Sequence, residues 1–211
     1  EIARLSPTVT NTLRVVTLVS DEAVHVLSVV MRLGRAGNMT DNWEQGGLGV
    51  PVDPQTGVMG KAVLKPKHGG ERVAAHPDTG VCFVGERLPF VAESVELSRR
   101  AALLLPGVRS VGWDVLITED GPVLLEANSD WDLQLSQVHS DGFLVDGVLR
   151  DEIRSAGVPL PAALPSRAST IPHVVAVRRS ASGGACRGEQ RGAPVAAEAN
   201  RQALTTQRSL D

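Results

Sequence analysis

The sequence predicts an α+β fold, an antiparallel β-sheet backed by helices. Two stretches, Thr12 to Leu33 and Val111 to Leu125, each read as a pair of apolar, β-branched runs joined by a short polar turn. That is the pattern of a β-hairpin. Between them, Leu88 to Leu105 has apolar residues at helical spacing.

The chain has 211 residues, enough to bury a sizeable core as one domain, or one domain plus a tail. Net charge is −3, so no basic footprint points to nucleic acid. Aromatic content of 3% with no tyrosine argues against base-stacking platforms. No apolar run is long enough to span a bilayer, and no signal-peptide pattern opens the chain. Cys82 and Cys186 lack zinc spacing and lie in segments of different character. A disulfide framework is therefore not expected, and a reducing cytoplasm is the expected location. The sequence opens at Glu1 without an initiator Met and reads as if cut from something longer.

The elements follow in order. Glu1 to Asn11 is a short lead-in containing Pro7. Thr12 to Leu18 and Ala23 to Leu33 are strands joined by a Ser-Asp-Glu turn, with Arg14 inside the first and Arg32 near the end of the second. Arginines among apolar strand residues ordinarily sit at sheet edges or in ion pairs. Gly34 to Val50 is a glycine-rich loop. Val52 to Gly85 alternates short strand-like runs with turns such as His76-Pro77-Asp78-Thr79-Gly80, where His76 reads as a solvated turn residue.

The Leu88 to Leu105 helix has Pro89 near its first turn and an apolar face of Val91, Val95, Ala101, Ala102 and Leu105. Pro106-Gly107 stops it. Its expected role is to back the sheet.

Val111 to Thr118 and Val123 to Leu125 form the second hairpin, with Glu119-Asp120-Gly121-Pro122 as its turn. If Thr118 pairs near Val123, Asp114 falls opposite Glu126 or Ala127, and Glu126 and Asn128 share a face. Three oxygen-bearing side chains then converge among Val115, Ile117, Leu124 and Leu125, which read as buried. Two carboxylates and an amide carbonyl are hard ligands suited to Mg²⁺ or Mn²⁺. On chemistry alone, an ordinary hairpin whose acids reach solvent or pair with arginines reads equally well.

Beyond Asn128, Phe143 to Ser155 reads as a helix. From Pro161 onward Ala, Arg, Ser, Gly and Pro dominate and apolar periodicity is lost, as in a disordered tail. The expected division is a folded part over residues 1–158 and a low-complexity tail over 159–211.

Ser110 to Asn128, followed by Trp131-Asp132, resembles the S-V-G-W-D-V-x-I-T-E-D-G-P-V-L-L-E-x-N pattern of the sugar-transfer-associated ATP-grasp family. Asn11 to Thr17, NTLRVVT, resembles the start of the same family. Glu126 follows Asp114 by twelve positions and Asn128 follows Glu126 by two, similar to the glutamate-ligase branch of the ATP-grasp superfamily. The resemblance covers roughly Leu5 to Ser155.

It implies the C-terminal lobe of an ATP-grasp fold, with ATP and Mg²⁺ (or Mn²⁺) as cofactors and a carboxylate as substrate. Asp114, Glu126 and Asn128 would be the metal ligands. Arg14 and Arg32 would be the catalytic residues beside the phosphates or an acyl-phosphate intermediate, Arg14 also contacting the nucleotide. Asn42, Gly46 and Gly47 resemble an N-x-x-x-G-G segment near the phosphates, although Glu44 and Gln45 stand where relatives often carry His or Arg. The resemblance also implies a preceding lobe with lysines on the triphosphate, a motif that Lys61, Lys65 and Lys67 do not match. The implied activity, for the chain joined to that lobe, is ligase chemistry linked to polysaccharide or cell-envelope synthesis. The alternatives are a half-domain serving as a non-catalytic binding module, or a truncated remnant. Oligomeric state is not set by the sequence.

Overall fold

The computed structural model describes residues 2–161, apart from 8, 22, 39, 140, 141, 143–146, 156 and 158. The strands are β1 (Leu13–Val19), β2 (Val24–Leu33), β3 (Leu48–Pro51), β4 (Ala62–Leu64), β5 (Arg72–Val73), β6 (Ser110–Thr118) and β7 (Gly121–Asn128), of which β1, β2, β6 and β7 make the two expected hairpins. Among the described residues these make one seven-stranded sheet in the order β5-β4-β3-β2-β1-β6-β7. Every neighbouring pair is antiparallel. The α+β expectation is met.

β1 lies inside the sheet between β2 and β6, and its residues are buried on both faces until Val19. One face carries Leu13, Val15, Met31, Val50, Trp113 and Val115 and forms the main core. Helix α1 (Val91–Ala102) covers that face with Val91 and Ala102. Polar atoms in this core are paired, as burial demands: the Trp113 Nε1–H donates to Thr17 Oγ1 at 2.8 Å. The opposite face carries a smaller cluster of Val30, Trp43 and Leu135, the last from helix α2 (Leu133–Gln137).

α1 is shorter than the expected Leu88 to Leu105. Phe90, at φ 55°, stands before its first turn. At the other end Pro106 supplies no N–H and disfavours helical geometry at Leu105. Leu103 and Leu104 are exposed, and Leu105 is only partly covered.

The glycine-rich loop is also shorter than expected, because β3 begins at Leu48. Between Val52 and Gly85 the short runs pair as isolated bridges, Val52 with Met59 and Ala75 with Cys82. His76 is not solvated: it is 1% exposed, and Nε2 lies 2.8 Å from the Gly34 carbonyl oxygen while Nδ1 accepts from the Asp78 N–H. The same turn is pinned by the Arg35 fork on Asp78, which holds that carboxyl down at about 2. Cys82, where no disulfide is expected, is disulfide-bonded. Helix α3 (Gly147–Ser155) covers the last part of the expected 143–155 helix. Residues 143–146 and the expected tail from 162 onward lie outside the described residues. Among the described residues, no helix is long and apolar enough to cross a membrane.

Candidate functional site

The β6–β7 hairpin turns more tightly than the sequence suggests. Thr118 pairs with Gly121, so the loop is two residues and Pro122 stands inside β7. Gly121, at φ 123°, supplies the backbone geometry of that turn. Continuing its register would set Asp114 against Leu125. A β-bulge between Asp114 and Val115 adds one residue to β7 and sets Asp114 against Glu126 instead. Leu125, expected to be buried, is 52% exposed at the bulge, while Val115 is fully buried.

The ladder continues across β1 and β2, so Val30, Arg14, Asp114 and Glu126 form one cross-strand row on the face opposite the main core. Asn128, opposite Gly112, lies one step along on the same face. The expected convergence of Asp114, Glu126 and Asn128 on one face is therefore present in the register.

Arg14 grips Asp114 with a two-pronged fork: Nε donates to Oδ1 at 2.5 Å and Nη2 to Oδ2 at 3.1 Å. Arg32 reaches over from β2, and its Nη1 donates to both oxygens at 3.1 and 3.0 Å. The Arg32 Nη2 donates in turn to Asp41 Oδ1. Asp41 Oδ2 accepts from the Thr12 N–H and hydroxyl at 2.8 and 2.6 Å. Asp41 is 3% and Asp114 6% exposed. Two guanidiniums and two carboxylates thus form a buried, charge-balanced quartet, the arrangement burial of such groups requires. Gly112 makes room for it: a Cβ there would meet Trp131 Cβ at 2.6 Å and Arg14 Nη1 at 3.2 Å.

The residues present do not fit a three-ligand metal site in this arrangement. A carboxylate has about four acceptor positions, and the guanidiniums fill those of Asp114 with four hydrogen bonds. Two positive groups on that carboxylate also oppose a cation. Glu126 is exposed, and the Asn128 amide nitrogen donates to the Gly112 carbonyl at 3.4 Å. Among the described residues no group of three or more His, Cys, Asp or Glu side chains is placed to hold a metal ion.

The glycine loop carries local duties. Asn42 Oδ1 accepts from the Glu44 N–H and caps the turn Trp43–Gln45, which Gly46 closes at φ 95°. At Gly47 a Cβ would lie 2.8 Å from the Asp41 carbonyl oxygen, so the glycine lets the backbone carrying Asp41 close in. Lys65 pairs with Glu44 and lies 5.0 Å from the Trp43 ring centroid. Asp132 caps α2 by accepting from Gln134 and Leu135 N–H groups.

Sequence reasoning missed two residues on this face. Asp41 was hidden in the glycine loop, where an acid looks solvated. His139 follows α2, with both ring nitrogens buried. Burial first, and then the charge of Arg72, push it down to about 4. Its Nε2 would lie 3.1 Å from a Cβ on Gly49, the β3 residue paired with Arg32.

The antiparallel sheet, with its Asp-bearing strand running through a hairpin into Glu-x-Asn, belongs to the ATP-grasp class. Within that class, the sugar-transfer associated ATP-grasp family matches residues 1–149, and the chain belongs to this family. No curated protein and no solved structure matches the chain.

Proposed function

We propose that this chain supplies the phosphate-facing sheet of an ATP-dependent ligase. In that reaction a carboxylate oxygen attacks the terminal phosphorus of ATP and ADP leaves. An amine or other nucleophile then attacks the acyl carbon and releases phosphate. Family membership supports ATP use and ligase-type chemistry. The observation that carries the reading to named residues is the convergence of Arg14 and Arg32 on one buried anionic group.

Guanidinium forks match phosphate as well as carboxylate geometry. Little covalent chemistry falls to the protein in phosphoryl transfer, so positioning and charge stabilisation dominate. Arg14 and Arg32 would stabilise the transferring phosphoryl group. Glu126 and Asn128, on the same face, would border the nucleotide, together with the loop of Asn42, Gly46 and Gly47. Because the Asp114 oxygens are taken, no step is assigned to a metal ion.

The experiment is calorimetric titration of the chain with ATP in the presence of Mg²⁺, beside Arg32→Ala and Glu126→Gln. Measurable binding by the native chain, weakened at least about tenfold in Arg32→Ala, is expected. Folded protein that binds no ATP, or binds it equally well without Arg32, would sink the reading.

A further inference from the structure

We propose that Asp114 is a built-in occupant of the anion site formed by Arg14 and Arg32, one that a phosphoryl ligand must displace to reach both guanidiniums. The inference rests on the phosphate-facing reading above and adds how that site is gated.

Both arginines are committed to the Asp114 carboxylate through four hydrogen bonds. Arg14 presents its Nε–Nη2 edge, the same edge it would offer two phosphate oxygens. Arg32 Nη1 straddles both Asp114 oxygens. The Arg32 guanidinium is not saturated: on the edge facing Asp41, Nε is buried and has no hydrogen-bond partner. A buried, unserved donor on a charged group is costly. A phosphoryl group brings three acceptor oxygens and a charge of about −1.5 to −2, enough to take over both contacts.

Asp41 stays with Arg32 through this exchange. Its other oxygen is tied to the Thr12 N–H and hydroxyl, which fixes Arg32 to the end of β1. Asp114 is the movable partner, because its oxygens bond to guanidiniums alone. Once displaced, its carboxylate stands directly across the ladder from Glu126. That like-charge pairing opposes anion entry. Asp114 therefore competes twice, by holding the donors and by resisting its own release.

The test uses the full 211-residue chain and pyrophosphate as probe, without divalent metal. Calorimetry should show Asp114→Asn binding pyrophosphate at least about tenfold more tightly than the native chain, equivalent to ~1.4 kcal/mol. Because the variant leaves two buried arginines short of a counter-charge, its fold is checked by near-UV circular dichroism. A second readout needs no substitution. In the native chain, ¹⁵N spectra should show the Arg14 Nε–H resonance shifting as pyrophosphate is added, with the Asp114 ¹³C carboxylate signal moving alongside it. A folded Asp114→Asn variant with unchanged or weaker affinity overturns the proposal. So does native protein that binds pyrophosphate with Arg14 Nε and Asp114 undisturbed, or that fails to bind it in either form. If ATP binds the native chain and Asp114→Asn gives no tightening, this proposal falls and the ligase reading stands. If the variant tightens pyrophosphate binding while neither form binds ATP, the ligase reading falls and this one stands.

Discussion

At the scale of single residues, the site depends on charges that are affordable only in pairs. Asp41→Asn removes the carboxylate that holds Arg32 Nη2 while leaving the Thr12 contacts partly intact. Breaking one side of a buried ion pair typically costs about 3–5 kcal/mol, so the denaturant midpoint should fall well below that of the native chain. His139 gives a pH signature. Its folded value of about 4 lies below the ordinary 6.5. Below pH 6.5 the unfolded chain takes up this proton while the folded chain does not, so stability falls as pH drops from 6.5 toward 4 and then levels off for this group. The span is up to about 3 kcal/mol by the conversion of 1.36 kcal/mol per unit. Denaturation curves at pH 7 and pH 5 measure it, and His139→Gln should flatten the difference.

At the scale of elements, glycines set how closely pieces approach the site face. A Cβ on Gly49 would lie 2.5 Å from Leu135 Cδ1 and 3.1 Å from His139 Nε2. Gly49→Ala should therefore lift α2 from β3, break the Ser28–Ser136 hydroxyl contact, and cost about 1–3 kcal/mol as an overpacking change. Faster amide exchange over α2, with β1 and β6 still protected, is the expected reading. Loss of protection across the whole sheet would instead place the damage in the core. The bulge in β7 acts in the other direction: it aims one residue outward and brings Glu126 into line with Asp114.

At the scale of the molecule, the two sheet edges differ. β5 is two residues long and carries Arg72, whereas β7 is eight residues long and exposes Val123 and Leu125. Long apolar edges invite pairing with another chain. Leu125→Lys should reduce concentration-dependent association in sedimentation velocity without lowering the melting temperature, since the residue buries little. Folding should be slow for the chain's size, in the millisecond-to-second range, because the inner pair β1–β6 joins residues about a hundred positions apart.

The sequence alone determined the hairpins, the antiparallel α+β class, and the sharing of one face by Glu126 and Asn128, while the bulge brought Asp114 into line with them. Those follow from local rules: β-branched runs, turn chemistry and the two-residue period of a strand. It also carried the family, through the Ser110–Asn128 and Asn11–Thr17 stretches. What it left open was whether the acids face a cation or pair with arginines. That depended on contacts between positions far apart in the chain, Arg14 and Arg32 with Asp114 and Arg32 with Asp41. No spacing rule links those positions. Tertiary structure paired Asp114 with the arginines by seating β1 between β2 and β6, because two guanidiniums buried beside a carboxylate must bond to it or remain uncompensated.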